Sequence, residues 1–597
     1  RLDELTIHGA PASGAQQTPP PAWNEPESPS IDETARSYVA PQTDIEKRLA
    51  EIWSQVLGVE QIGIHDNFFE LGGDSIISIQ IIAKANQHGL RLTPKQFFQQ
   101  QTIAELATVV GTTPTVKAEQ GIVTGALPLT PIQRRFFKQN LPRREYFNQS
   151  ILLEVDRPLI PALVEQTVQH LLAHHDALRL RYTPTEENEW QQRNAETGDA
   201  APFSALDFSA LPEAEQQAAI EAAIETMQAS LNISDGPLIK VAHIACGESR
   251  ANLLLLVVHH LAIDVVSWRI LLEDLQAVYQ HLSEGKKPSL PAKTTSFKQW
   301  AERLSQHVRG GGFREEIAYW TDELRNQPRP LPSDHPAGQA NTLESARVVS
   351  TKLEASATRA LLVDVPQAYH TQINDVLLTA LVQAFAGWTG TRSLLVEMEG
   401  HGRESIFEDV DLSRTVGWFT SVFPVLLDLG RNGDSPGDEL KAVKEKLRRL
   451  PNRGIGYGLL GHLSVDTEVV ELWKTFPQPQ VSFNYLGQFE QEAADASIFG
   501  RVRDARGASP LMPGDRTHLL EIDAKVVGEQ LQVSWTYSEN AHRRATVEAL
   551  AENFNERLRA LGQHCLSPEA GGYTPSDFPE AELSQADLDN LLASLNA

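Results

Sequence analysis

From about residue 125 to about residue 575 the sequence alternates strand-like and amphipathic helical segments, and such a stretch exceeds what one hydrophobic core accommodates. Two α/β lobes are expected, an N-lobe at about 125–290 and a C-lobe at about 291–575. Leu253 to Val258 is a continuous apolar run, the pattern of a strand buried on both faces. Trp268, Leu271, Leu272, Leu275, Val278 and Leu282 then recur at helical spacing.

Ahead of this unit the composition changes twice. Residues 1–42 read as the tail of a preceding domain followed by a Pro/Ser-rich linker, with Pro19, Pro20 and Pro21 in a row. Residues 43–112 read as a small all-α bundle of three or four helices. Thr43 with Glu46 and Thr102 with Glu105 make capping boxes, and Ile76, Ile77, Ile79, Ile81 and Ile82 line a helix opening at Asp74-Ser75. A second linker is expected at 113–124. Residues 576–597 form an acidic tail in which Leu588, Leu591, Leu592 and Leu595 share a helical face, a possible docking helix.

Charge and cysteine content exclude whole classes. With 52 Lys+Arg against 78 Asp+Glu the formal charge is −26, which leaves nothing to neutralise phosphates, so no nucleic-acid partner is expected. Two cysteines, Cys246 and Cys565, cannot make a disulfide framework and suit a reducing, cytoplasmic setting. No apolar run approaches the 18 or so residues that a membrane helix needs, so no membrane partner is expected. The chain opens on Arg1 without an initiator Met and reads as a piece of something longer.

Two motifs carry chemistry. Asp66-Asn67-Phe68-Phe69-Glu70-Leu71-Gly72-Gly73-Asp74-Ser75 runs from a loop into a helix start, leaving a serine hydroxyl where free N–H groups favour a phosphate. The run resembles the attachment signature of thiolation (peptidyl carrier) domains of nonribosomal peptide synthetases. The resemblance implies 4′-phosphopantetheine carried on Ser75. Asp74, where many members have His, resembles the variant found before epimerization domains. The second motif is His259-His260-Leu261-Ala262-Ile263-Asp264 at the end of the apolar strand. Adjacent strand residues face opposite ways, so only one histidine can face a given cavity. The pair His174-His175 is assigned to packing.

The second motif resembles the HHxxxDG signature of the condensation-domain superfamily, whose two lobes each resemble chloramphenicol acetyltransferase and enclose a tunnel. Leu129–Gln133, Glu399-Gly400-His401-Gly402-Arg403-Glu404, Arg414–Ser421, Pro451–Gly458 and Phe483–Phe489 resemble further motifs of the epimerization branch, in the family's order. The resemblance implies L-to-D epimerization of an aminoacyl or peptidyl thioester in antibiotic-type peptide synthesis, with no metal. It implies an upstream adenylation domain, a downstream condensation domain or module, and a phosphopantetheinyl transferase as partners.

Inversion at an α-carbon needs a proton acceptor on one face and a donor on the other, plus stabilisation of the charge that develops. The resemblance supplies His260 and Glu399 as that acid/base pair, in an order left open. Asp264 reads as structural, with Arg403 as its partner, and His259 as support. Asn484 and Tyr485 are candidates to orient the thioester, whereas Tyr457 and Trp418 read as packing. Val265 stands where the family has Gly, so strain at positive φ or a narrower tunnel is expected there. The alternatives are an amide-forming condensation domain and a catalytically silent recruitment domain of the same fold.

Overall fold

The structure is a computed structural model describing residues 38–595, apart from 112–115, 156, 188, 199, 248–249, 326–328, 337–339, 490–498, 505–513, 569, 579–580 and 582. The expected linker at 1–42 therefore falls almost wholly outside the described residues.

Four helices build the first unit: α1 (Asp44–Leu57), α2 (Ser75–Gln87), α3 (Pro94–Gln99) and α4 (Ile103–Val109). Thr43 and Thr102 cap α1 and α4 through reciprocal boxes with Glu46 and Glu105. Leu49, Trp53, Phe68, Ile81, Phe97, Ile103 and Leu106 make its core. Helix α2 is apolar on two sides for a reason. Ile77, Ile81 and Ile82 face this bundle, whereas Ile79 is buried in the core of the following unit and Ile76 packs against it.

The second unit contains three sheets. A small one joins β1 (Gly125–Leu127), β3 (Leu180–Pro184) and β4 (Trp190–Asn194) in the order β1-β4-β3. The N-lobe sheet contains β2 (Asn148–Val155), β5 (Phe203–Asp207), β6 (Ile239–Ala245) and β7 (Asn252–His259). The continuous apolar run in β7 is explained by its two covered faces. Leu254, Leu256 and Val258 join the main core with α6 (Pro161–His174), and Leu253, Leu255 and Val257 pack with residues of α7 (Glu213–Gln228). A 3-10 turn at His260–Ala262 links the end of β7 to helix α8 (Val265–Ser283).

The C-lobe sheet runs β10-β9-β11-β13-β14-β8, from β8 (Ala346–Lys352), β9 (Ser393–Gly400), β10 (Ser421–Asp428), β11 (Val481–Phe489), β13 (Leu520–Val527) and β14 (Gln530–Ser538). The helices Ile373–Thr389 and Arg544–Cys565 pack on each other and join its core. One segment crosses over: β12 (Phe499–Asp504), though late in the chain, pairs antiparallel with β2 at the edge of the N-lobe sheet. Part of the stretch expected as the second linker is also anchored, since Val123 is buried and its carbonyl accepts from Arg179. The acidic tail ends in the helix Gln585–Leu595, with Leu588 buried and Leu591 exposed; the side chains of Leu592 and Leu595 lie outside the described residues. Among the described residues no helix is long and apolar enough to cross a membrane.

Candidate functional site

The end of β7 sorts the two histidines. His259 is fully buried, with Nε2 on the carbonyl of Arg144 at 2.8 Å and Nδ1 accepting from the Leu261 amide. Burial pushes it down to about 4, which keeps it neutral. His260 is half-buried, lies flat on Phe147 (11° between planes) and touches Trp418.

Its tautomer follows from its partners. Nδ1 lies 2.9 Å from the carbonyl of Ile263, an acceptor only, so Nδ1 carries the proton. Nε2 is then the bare nitrogen, 3.0 Å from Gln149 Nε2. The Gln149 amide can turn only one way, because its oxygen accepts from the indole N–H of Trp268 at 2.7 Å. Burial holds His260 below its ordinary value.

Asp264 caps α8 through the Ser267 amide at 2.7 Å and accepts from the Phe419 amide at 3.1 Å. Arg403 lies 3.1 Å and 3.2 Å from its two oxygens, donates to Ser267 Oγ and to the carbonyls of Leu412 and Thr415, and covers the Phe419 ring at 4.0 Å. This buried pair joins the histidine loop of one lobe to the Glu399–Glu404 segment of the other. Gly402 is required in that segment: its φ is +66°, and a Cβ there would stand 1.7 Å from the Phe419 carbonyl oxygen. Val265 is the first residue of α8 and is not among the positive-φ residues, so backbone strain does not arise at that position.

Glu399 lies on β9, beside β11 and on the same face as Glu397. Its carboxylate accepts from Asn484 at 3.1 Å, and Asn484 is in register with Asp523 on β13. The side chain is exposed to solvent. Burial, then Asp523 and Glu397, push its carboxyl up to about 7. Its neighbour behaves oppositely. Burial raises Glu397, but His518 and a bidentate Arg135 more than offset this and hold it well below the usual range. Arg135, the partner of Glu397, and Trp418, which touches His260, line one apolar cavity between the lobes; Glu399 and His260 themselves are not among its lining residues.

Two family profiles match: a condensation domain over residues 123–584 and a phosphopantetheine attachment site over residues 47–110. The chain belongs to the condensation-domain family. This condensation-family chain is 49% identical over 564 residues to a linear gramicidin synthase of Brevibacillus parabrevis, covering 93% of the chain and 7% of that relative. Chondramide synthase of Chondromyces crocatus is 45% identical over 582 residues, covering 96% and 14% respectively. The chain thus spans a small part of these relatives' length. The epimerization domain from the third module of tyrocidine synthetase B superposes with TM-score 0.69 at 35% identity, covering 76% of this chain and 99% of that one. The first condensation domain of the calcium-dependent antibiotic synthetase, at 20% identity and TM-score 0.57, shares the two-lobed fold.

In this condensation-family chain the attachment domain is seated on the C-lobe. Ser75 is half-buried at the first position of α2, and Asp74 caps that helix by accepting from Ile76 and Ile77. Gln488 donates to the Gly72 carbonyl at 2.8 Å, and Arg269 to the Gln488 carbonyl. A register break after Tyr485 and a φ of +87° at Gly487 bring β11 against this loop; a Cβ on Gly487 would come within 3.2 Å of Ile76. Asn484 and Tyr485 therefore part company. Asn484 reaches Glu399, whereas the buried Tyr485 hydroxyl has Asp74 and Arg269 as its charged neighbours.

His175 meets Asp274 at 3.0 Å, and Asp274 is also bound by Arg414, tying α8 to the C-lobe. His174, His175 and Asp274 have donors within 4.8 Å of one another, but Arg414 already supplies the positive charge there. Sequence reasoning missed Gln149, Arg135, Glu397, His518 and Asp523. Arg135 was within reach, two residues beyond the Leu129–Gln133 motif, and Asp523 carries no motif at all.

Proposed function

We propose that this chain epimerizes the α-carbon of an L-aminoacyl or peptidyl thioester held on Ser75, with Glu399 and His260 as the proton-transfer pair. The observation that carries the reading is the solvent-reached Glu399 carboxyl, held by Asn484 and pushed up to about 7, where both protonation states are populated at neutral pH. The likeness to a solved epimerization domain supports it.

Ser75 fits a phosphopantetheine arm. It is half-buried and opens α2, whose N-terminal partial positive charge favours a phosphate. Such an arm would supply the thioester, which acidifies the α-proton. The protein's own residues do the rest. Glu399 takes or gives a proton at its carboxyl, with Asn484 holding one oxygen in place. His260 offers Nε2 once the Gln149 amide yields to substrate, and its Nδ1–H stays on the Ile263 carbonyl throughout. Asp264 and Arg403 position the histidine loop without touching substrate, and His259 holds the strand end. Tyr485 acts at the carrier side of the channel.

In this reading the chain receives its amino acid from an upstream adenylation domain, its arm from a phosphopantetheinyl transferase, and passes product to a downstream condensation domain. The buried free thiols Cys246 and Cys565 suit a cytoplasmic setting. The test is to load an L-aminoacyl-pantetheine onto Ser75 in deuterated water and read mass and chirality after cleavage. Deuterium at the α-carbon with mixed L and D product, lost in Glu399→Gln, supports the reading. Amide formation between two loaded carriers without α-exchange would replace it with condensation.

A further inference from the structure

Three consecutive residues of the Pro451–Gly458 segment are left-handed: Asn452 (φ 43°), Arg453 (φ 53°) and Gly454 (φ 84°). Only the third is glycine, so the first two are held there by their surroundings. Asn452 is held from inside, donating at 2.7 Å to Glu316, whose other oxygen accepts from the buried indole of Trp320. Arg453 is turned outward. Its guanidinium lies 3.4 Å from the centre of the Phe98 ring, on α3 of the attachment domain.

Phe98 in turn stacks on Phe69 (5.9 Å, 22°), which belongs to the loop leading to Ser75. Around this contact the two domains meet again, with the Lys95 amide on Ser405 Oγ at 3.4 Å and Glu70 beside His370 at 3.5 Å. Within its own domain Arg453 has Glu404 at 3.8 Å, and Glu404 faces His401, whose Nδ1 accepts from the Arg403 amide. The same side chain therefore lies between the carrier's aromatic stack and the segment that holds Asp264.

We infer that Arg453 is a carrier-reading residue: its cation on Phe98 seats the attachment domain so that a carrier-bound thioester is turned over in preference to the same thioester free in solution. The inference deepens the epimerase reading and rests on it for the turnover readout. Arg453 is a positioning residue that touches neither substrate nor the reacting atoms.

The test compares the full chain with Arg453→Met, which keeps the stem and removes the cation, and with Phe98→Leu. Alpha-deuterium incorporation is measured for L-phenylalanyl-phosphopantetheine on Ser75, and separately for L-phenylalanyl-N-acetylcysteamine added to chain without the arm. Either substitution is expected to slow the carrier-bound reaction about threefold or more while leaving the free thioester within experimental scatter, and the double variant to add nothing further. Amide hydrogen exchange read in the same chains is expected to speed up at residues 94–99. Equal losses on both thioesters would make Arg453 structural and overturn the inference, as would unchanged turnover with unchanged protection. If the wild type incorporates no deuterium from either thioester, phenylalanyl is not a substrate, and the exchange at residues 94–99 alone decides the Arg453 contact.

Discussion

Asn484 donates its side-chain amide to Glu399 Oε2 at 3.1 Å, and on its other side it is in register with Asp523. The neutral amide on β11 thus stands between two carboxyl groups on the strands to either side, β9 and β13. A donor on Glu399 favours its ionised form, whereas Asp523 disfavours it. Asn484→Asp removes the donor and adds a third charge. The pH at which Glu399 titrates is expected to rise further above 7, moving the corresponding limb of the α-exchange pH profile upward. An unmoved limb with lowered rate would mean that Asn484 acts on the substrate instead.

Glu399 also leaves a mark on stability. Its carboxyl titrates near 4.5 when unfolded and near 7 when folded, so between those values the native chain binds more protons. Stability from this group therefore falls as pH rises through that window. Glu399→Gln cannot ionise and is expected to gain on the wild type from pH 5 to pH 8 in urea midpoint, while losing α-exchange. A stability difference independent of pH would show that the raised value is absent.

Asp264→Asn is expected to fail differently. It leaves the Arg403 guanidinium, buried with Asp264 at 3.1 Å, without its counter-charge. Loss of one partner of such a pair costs about 3–5 kcal/mol. Activity and urea midpoint should fall together, in contrast to Glu399→Gln. A stable but inactive Asp264→Asn would mean that the charge on Asp264 orients the histidine loop rather than holding the fold together.

These contrasts mirror what was legible beforehand. The capping boxes at Thr43 and Thr102 are local, and the Leu253–Val258 run announces a strand covered on both faces, so those elements could be read directly. Asp523 could not, because its nearness to Glu399 depends on β9, β11 and β13 lying side by side. The opposite fates of Asn484 and Tyr485 were half-legible. Strand alternation separates neighbours, but which side carries Glu399 is settled only by pairing, and the break after Tyr485 turns β11 toward Gly72. The crossing of β12 to the first lobe had no local signal in a chain that otherwise reads lobe by lobe.

Gly402→Ala tests the contact between lobes through backbone alone. The added Cβ would meet the Phe419 carbonyl oxygen at 1.7 Å, and φ is +66°. The Phe419 amide donates to Asp264, so relief of the clash displaces that donor too. A loss of about 3 kcal/mol or more is expected in denaturant unfolding. A loss below about 1 kcal/mol would mean that the loop re-routes freely.

Gln149 governs how His260 can act. Its orientation is fixed by Trp268, and its N–H caps the bare Nε2, a bond that favours the neutral ring. Gln149→Met keeps the volume and removes the donor, so the His260 pKa should rise. If the ring takes the α-proton, the acidic limb of the pH–rate profile moves upward, because protonation now removes the acceptor at higher pH; if it gives the proton, the basic limb moves upward instead. The change should also survive in the Asn484→Asp background, since the two substitutions act on different limbs. If Gln149→Met alters the rate at all pH values without moving either limb, Nε2 does not titrate in the reaction, and His260 serves by packing between Phe147 and Trp418.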